Sequence, residues 1–476
     1  MVPDLSVPRR VHVVAVGGAA MSAIAHILAM SGHTVSGSDQ VDSPILDRLR
    51  ADGCTIWVGH DAAHVAGADL VAISTAVKPG NPELAAAAAA GIPVASRPDM
   101  MDALGRMRRT LAVSGTHGKT TTSAMAALVL VDAGWDPSFI VGGQVNQLGT
   151  GVRWRPTEWL AVEADESDGS FLRFGAEAVI VANIEADHLD FHGTMTDLEA
   201  AFDRFVEQAI GPRVVCLDDA GTAALAARVR VPVTTYGLAA TADYRITDHV
   251  DERLGSSFAV LTPVGERVAV RLQLPGLHVV RNATAVLAMA TQLGIDPAVT
   301  VASLARFTGT GRRFERRGTV NGVDFVDDYA HLPTEVAANV VAAANAGWTR
   351  VVAVFQPHRY TRVRDVGADF ATSFDGADVV VITGLYPAGQ EPIPGISGRT
   401  VFDAIRTARP ELDLHYAESR PELVALLGTL LCSGDLCLTM NAGDLTTLPD
   451  EMRTSDWAAG AVASRTTDRT DHDGQP

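Results

Sequence analysis

Between Thr110 and Thr122 the chain passes from a strand-like run, Thr110-Leu111-Ala112-Val113-Ser114, through Gly115-Thr116-His117-Gly118-Lys119-Thr120-Thr121 into a helix-prone stretch, Ser123–Gly134. A strand that turns on glycines straight into a helix is the start of a parallel α/β unit, because the chain must cross back over the sheet before its next strand can pair. The glycines let backbone N–H groups wrap an anion and the helix N-terminus adds partial positive charge, so the junction reads as a phosphate cradle. Lys119 is placed to reach terminal phosphates, and Thr120 to offer its hydroxyl to Mg2+. The long pattern G-x-x-x-x-G-K-[ST] is not met, since Val113 stands at its first glycine, but the shorter G-T-x-G-K-[ST] is.

The same alternation recurs on both sides. Val11–Val16 reads as a strand, Gly17-Gly18 as a turn, the apolar stretch from Ala19 as a helix and His33–Asp39 as the next strand. A strand at Leu70–Ser74 and an alanine-rich helix at Ala85–Ala90, ended by Gly91 and Pro93, complete a first domain. Strands follow at Trp159–Val162 and Ala178–Ala182; beyond Gly311 come a strand pair in Gly318–Ala330, a helix, and strands at Arg350–His358, Asp378–Tyr386 and Leu436–Asp444. With 476 residues at roughly 150 per domain, this predicts three α/β domains, 1–107, 108–311 and 312–463, and a Thr/Asp-rich tail, 464–476, that is disordered.

Charge narrows the partners. Lys+Arg 38 against Asp+Glu 56 leaves −18, which repels phosphate backbones and anionic lipid, so nucleic acid and membranes are excluded as main partners and any small anion needs local cations. Only Lys78 and Lys119 are lysines, which singles out the cradle. Cys54, Cys216, Cys432 and Cys437 lack C-x-x-C spacing, and no apolar run reaches the length of a membrane span or signal peptide, which predicts a cytoplasmic protein.

Two carboxylate clusters sit just past apolar strands, Glu163-Ala164-Asp165-Glu166-Ser167-Asp168 and Glu185-Ala186-Asp187-His188, where α/β proteins carry their chemistry. Following a phosphate cradle, they read as hard donors for magnesium beside a γ-phosphate. Asp39 lies 39 − 17 = 22 residues past Gly17, near the ribose position of dinucleotide folds, although G-x-G-x-x-G is broken by Ala15 and Ala20. Farther on, Asp327-Asp328-Tyr329-Ala330-His331 and His358-Arg359-Tyr360-Thr361-Arg362 combine carboxylates, imidazoles and arginines, whose guanidinium forks suit carboxylate or phosphate. Arg359 and Arg362, three apart, would share a face of a helix.

Taken in order, GTHGKTTT, EADESDGSF, NIEADHLDFHG, GRRFE, DDYAH-PTE, FQPHRYTR and LYPAGQEPIPGISG resemble the Mur ligase superfamily across nearly the whole chain. The resemblance implies a Rossmann-like N-terminal UDP-binding domain, a central P-loop ATPase domain and a Rossmann-like C-terminal domain that closes over ATP and an amino acid. It is nearest to the branch that joins L-alanine to the lactyl carboxylate of UDP-N-acetylmuramate through an acyl phosphate, using ATP and Mg2+, as a monomer or homodimer. Carried over by motif, Gly17, Gly18, Ala19, Ala20, Asp39, Ser74 and Thr75 would bind the UDP-substrate. Gly115, Thr116, His117, Gly118, Lys119, Thr120 and Thr121 would bind ATP, with His278 and Asn282 at adenine and Arg313 and Asp328 reaching from the third domain. Thr120 and Glu163 would hold one Mg2+ and His188 a second near the substrate carboxylate, with Glu166 as the rival to Glu163. Tyr329, His331, Arg359 and Arg362 would face the amino acid. Lys119, His188 and His331 are the expected catalytic set.

Neither lysine follows His188, so the carbamylated lysine of several Mur ligases has no counterpart, in agreement with the alanine-adding branch. Ala15, Ala20, Leu332 and Asn441 replace residues usual in the family's motifs. Competing readings are a ligase for a recycled tripeptide, a degenerate homologue without catalysis, and a nicotinamide oxidoreductase, which would leave the Lys119 loop unexplained.

Overall fold

The computed structural model describes residues 2–74, 77–253 and 255–458. Thr75 and the tail 464–476 lie outside them. By compactness the chain divides into two units, Met1–Thr247 with Ala259–Val270 and Arg281–Phe307, and Asp248–Phe258 with Arg271–Val280 and Thr308–Pro476.

In the first unit, β1 (Arg10–Val14), β2 (Thr34–Asp39), β3 (Thr55–Val58), β4 (Leu70–Ile73) and β5 (Val94–Ser96) form a parallel sheet in the order β3-β2-β1-β4-β5. The order reverses at β1, so the loops after β1 and β4 part there and open a crevice at the carboxyl edge, where open α/β sheets bind ligands.

A ten-stranded sheet follows: β6 (Arg109–Ser114), β7 (Ser138–Val145), β8 (Thr150–Arg153), β9 (Trp159–Glu163), β10 (Ala178–Val181), β11 (Arg213–Cys216), β12 (Thr234–Gly237), β13 (Tyr244–Glu252), β14 (Gly255–Leu261) and β15 (Arg267–Leu272). Their order is β15-β14-β13-β12-β11-β10-β6-β9-β7-β8. Because β6 is parallel to both β10 and β9, the loops leaving these three strands emerge together. Those loops carry the phosphate cradle and both carboxylate clusters.

The second unit holds β16 (Glu315–Val320), β17 (Val323–Asp328), β18 (Arg350–Phe355), β19 (Val379–Thr383), β20 (Asp413–Ala417) and β21 (Asp435–Met440), ordered β16-β17-β21-β18-β19-β20. The β16–β17 pairing is antiparallel, and the others are parallel.

Covered parallel strands require apolar residues on both faces, and β10, β19 and β21 are buried along their whole length. The helix Lys119–Asp132 is buried from Thr120 through Leu130, as expected of a helix whose apolar and small residues run all round it. This clamps its N-terminus at the cradle.

Two differences from the sequence reading have clear causes. No elements were expected between Ala182 and Gly311, where β11–β15 lie; β15 alternates exposed and buried residues, and Arg267 and Arg271 break up its apolar run. Arg359 was expected to share a helical face with Arg362, but the helix is Tyr360–Val366 and Arg359 precedes it with φ +66.

Candidate active site

The cradle is braced from β10. Asn183 Oδ1 accepts from His117 N at 2.7 Å, and its Nδ2 donates to His117 O at 3.1 Å. Glu185 N donates to Thr116 Oγ1 at 2.9 Å, and Glu185 Oε2 is 3.3 Å from His117 Nε2. Gly115, at φ +132, admits no side chain: a Cβ there would lie 3.0 Å from the backbone of Asn183. Gly118, at φ +79, caps the helix and lies against Asn282, whose Oδ1 would be 2.9 Å from a Cβ. Asn282 is thus brought to the cradle. His278, one turn earlier on the helix Leu277–Gln292, belongs to the second unit.

Lys119 has all three ammonium hydrogens committed, to Gly115 O at 2.7 Å, Thr116 O at 3.2 Å and Glu166 Oε1 at 2.8 Å. Burial opposes its charge, but Glu166 and Asp165 more than offset this and hold its pKa above the ordinary lysine value. The next residue, Thr120, donates to Glu163 Oε1 at 2.9 Å, while Glu163 Oε2 accepts from Gly142 N at 2.7 Å. Glu163 therefore lies beside the cradle hydroxyl.

Asp165, Glu166 and His188 bring one ligand atom each to within 4.8 Å of one another. The other oxygen of Glu166, Oε2, is buried and has no hydrogen-bond partner among the described residues. An unpartnered buried carboxylate oxygen among hard donors fits a divalent cation. The expected metal set was Thr120, Glu163 and His188; the carboxylates converging with His188 are Asp165 and Glu166, and Glu163 with Thr120 forms a neighbouring pair. Burial works against the charge of Asp165, but Lys119, Ser167 and Arg97 together keep its carboxyl below the usual range.

In the five-stranded sheet, Asp39 Oδ2 accepts from Gly17 N at 2.8 Å, so this carboxylate holds the glycine turn. Gly18 caps the helix opened by Ala19 and Ala20, and Ser74 stands just past β4. Ala15 occupies the left-handed region, φ +58, where glycine would be unstrained. Sequence reasoning missed the support beneath this turn. Glu83, fully buried, accepts from Ser38 Oγ at 2.7 Å and has His60 Nδ1 at 2.9 Å, His64 Nδ1 at 2.8 Å and His12 Nε2 at 3.5 Å. Gly59 N donates to Asp39 O at 2.7 Å, closing a ring through His60, Glu83, Ser38 and Asp39. A buried carboxylate needs such donors, yet they lie far apart in the chain and leave no local signal.

In the second unit, Asp328 accepts from Phe314 N and Ala330 N, both at 2.7 Å, and burial pushes its carboxyl up to about 6. Tyr329 lies under the guanidinium groups of Arg312 and Arg313, 4.8 and 5.2 Å from its centroid. His331 Nδ1 bonds Tyr329 O at 2.9 Å, its ring stands edge-on to Tyr329 and His358, and burial lowers its pKa. Arg362 donates to His358 Nδ1 at 3.1 Å, and His358 stacks on Tyr386. Burial and Arg362 push His358 down to about 3, which keeps it neutral. Arg359 N donates to Tyr386 O at 2.8 Å. Of the four residues expected at the amino acid, His331 and Arg362 meet His358, Arg359 is tied to Tyr386 through its backbone, and Tyr329 joins through His331; Tyr386 had not been nominated.

Two family departures are absorbed structurally. Leu332 is buried, and its N–H and that of His331 both donate to Glu335 Oε2. Asn441 donates to Asp327 Oδ1 at 3.0 Å and accepts from Arg312 through its carbonyl and Oδ1 at 2.9 and 2.8 Å.

Three family models match in succession: Mur ligase family, catalytic domain, over residues 10–109; Mur ligase middle domain over 113–290; and Mur ligase, glutamate ligase domain, over 312–443. The chain belongs to the Mur ligase family. Among its relatives, the UDP-N-acetylmuramate–L-alanine ligase of Geobacter sp. (strain M21) is 42% identical over 92% of this chain and 95% of that one. The enzyme of the same name from Xylella fastidiosa (strain M12) is 43% identical over 92% and 93%. The crystal structure of UDP-N-acetylmuramate-alanine ligase from Thermotoga maritima matches with TM-score 0.79 and 27% identity, covering 97% of this chain and all of that one. A murein peptide ligase from Psychrobacter arcticus shares the fold, with TM-score 0.67 and 24% identity over 94% and 98%.

Proposed function

We propose that this chain joins UDP-N-acetylmuramate to L-alanine at the expense of ATP. A lactyl carboxylate oxygen attacks the γ-phosphorus, the bond from γ-phosphorus to the β–γ bridging oxygen breaks, and ADP departs, leaving an acyl phosphate. The alanine amine, having lost a proton, attacks the acyl carbon. The tetrahedral intermediate expels inorganic phosphate, and the amide nitrogen gives up its second proton.

The obstacle is charge: two anionic reactants must meet inside a protein of net charge −18. Lys119 meets it by exchanging Glu166 for a phosphate oxygen while keeping its two carbonyl partners. That exchange frees Glu166; Asp165, Glu166 and His188 would hold one divalent cation and Thr120 and Glu163 another, and such cations would supply charge neutralisation for the phosphates. Asn282, which lies against Gly118, and His278, which precedes it on the same helix, would serve adenine, and Arg313 and Asp328 would be further ATP contacts. Gly17, Gly18, Ala19, Ala20, Asp39, Ser74 and Thr75 take the UDP portion. Tyr329, His331, Arg359 and Arg362 take alanine, with neutral His331 suited to accept a proton and the Arg359 fork to pair with the carboxylate.

The observation carrying this reading is Lys119 paired with Glu166 beside Thr120–Glu163, at the edge where His188 also emerges. Among the described residues no helix is long and apolar enough to cross a membrane. The test is phosphate release with ATP, Mg2+ and UDP-N-acetylmuramate, with and without L-alanine, the product being weighed by mass spectrometry. Release requiring both partners supports the reading. Turnover only with a tripeptide acceptor reassigns the amine substrate, and no turnover with either rejects catalysis.

A further inference from the structure

The helix Arg97–Gly105 follows the last strand of the five-stranded sheet, yet its first turn is tied to the acidic loop of the next sheet by two ion pairs of opposite polarity. Arg97 donates to Asp168 Oδ2 through Nη2 at 2.5 Å and Nε at 3.2 Å, and Nη2 lies 3.9 Å from Asp165 Oδ2. Two residues on, Asp99 accepts from Arg173 at 2.8 Å. Ser96 and Asp99 cap this helix reciprocally, so Arg97 leaves from a fixed first turn.

The loop is equally well defined. Asp168 uses Oδ1 on Ser170 N at 3.0 Å and Oδ2 on Arg97; Asp165 Oδ1 accepts from Ser167 N at 3.1 Å. His192 Nε2 is 2.9 Å from the carbonyl of Glu166, and Gly169 makes the turn at φ +71. Glu163, Asp165, Glu166 and Asp168 crowd four carboxylates into six residues. They repel one another, and among the described residues the cations paired with them are Lys119 at Glu166 and Arg97 at Asp168 and Asp165. When Lys119 turns to a phosphate, Arg97 is the protein cation that still holds the loop.

We infer that Arg97 is a positioning residue for the ligation: reaching from the substrate-binding domain, it fixes Asp168 and Asp165 so that Asp165, Glu166 and His188 keep converging while Lys119 is engaged elsewhere. The inference rests on the proposed function for the meaning of that convergence. It also makes the substrate domain and the metal-holding loop one mechanical piece.

The full-length protein and the variants Arg97→Ala, Arg97→Lys and Arg173→Ala are compared by the Mg2+ dependence of phosphate release, by Mn2+ binding followed with electron paramagnetic resonance, and by melting temperature. Arg97→Ala is expected to raise the Mg2+ half-saturation and the Mn2+ Kd about tenfold or more, the usual cost of losing an outer partner of a metal ligand. Arg97→Lys, which keeps a charge but loses the fork, is expected to fall between. Arg173→Ala breaks the companion ion pair without touching Asp165 or Asp168 and is expected to leave both within about twofold, as exposed pairs contribute little. Arg97→Ala and Arg97→Lys both behaving as wild type, or Arg173→Ala shifting metal binding as far as Arg97→Ala, would overturn the inference. Wild type that binds Mn2+ with the expected Arg97 dependence but releases no phosphate would refute the ligase reading and leave the positioning role standing.

Discussion

Replacing Glu83 by glutamine should cost about 3 kcal/mol of stability at neutral pH, and that cost should shrink as the solution is acidified. Burial alone would raise the Glu83 carboxyl, but the His12 ring 3.5 Å away, Ser38 and His64 bring it down to about 2 from 4.5. A carboxyl lowered from 4.5 to about 2, at about 1.36 kcal/mol per tenfold, corresponds to roughly 3 kcal/mol favouring the ionised form in the folded state. Because the folded value lies below the unfolded one, this stability is present above pH 4.5 and is lost as pH falls toward 2. Linkage leaves most of this at pH 4 and less than half of it at pH 3. Glutamine mimics the protonated acid, so calorimetric or urea unfolding of wild type and Glu83→Gln at pH 7, 4 and 3 should give curves that converge with acid. A difference below about 0.5 kcal/mol at pH 7, or one that does not change with pH, would refute the argument that the imidazoles and Ser38 hold an anion. Since Ser38 and Asp39 carry the glycine turn, the variant should also raise KM for the UDP-substrate more than KM for ATP.

Lys119→Ala should abolish phosphate release while UDP-substrate binding, measured by calorimetry, stays near wild type; turnover retained within about tenfold would remove Lys119 from phosphoryl transfer. His188→Ala should shift the Mg2+ titration to higher concentration, and an unchanged titration would take it out of the metal shell. Arg359→Lys should weaken L-alanine far more than ATP, because a point charge cannot replace the fork; equal effects on both would move Arg359 to the nucleotide. Ala15→Gly should stabilise the protein by roughly 0.5–1 kcal/mol by relieving a left-handed alanine, and destabilisation in thermal melts would show the strain is absent.

What could be read without coordinates follows from how local each signal is. Buried parallel strands such as β10 and β19 announce themselves as unbroken Val/Ile runs, and the cradle is a single contiguous motif whose chemistry its residues state directly. Half-exposed β15 could not be recognised the same way, since Arg267 and Arg271 interrupt its apolar pattern. Spacing placed Arg359 and Arg362 on one side of a helix, but the pairing of Arg359 with the Tyr386 backbone holds Arg359 at positive φ before the helix begins. The carboxylates around His188 were legible as a group, whereas their division between Thr120 and His188 depends on where β9 ends. Glu83 and its imidazoles escaped altogether, because only the fold brings residues 12, 38, 60, 64 and 83 together.

The two lysines differ sharply in reach: Lys78 is exposed, while Lys119 Nζ is enclosed by two carbonyls and Glu166. Amine acylation of the intact protein therefore has an internal reference and a gated target. The label on Lys78 records reagent exposure, and the slower label on Lys119 counts how often its ion pair opens. Peptide mass spectrometry of this ratio would time the first movement of the reaction cycle without a substrate analogue or an engineered probe.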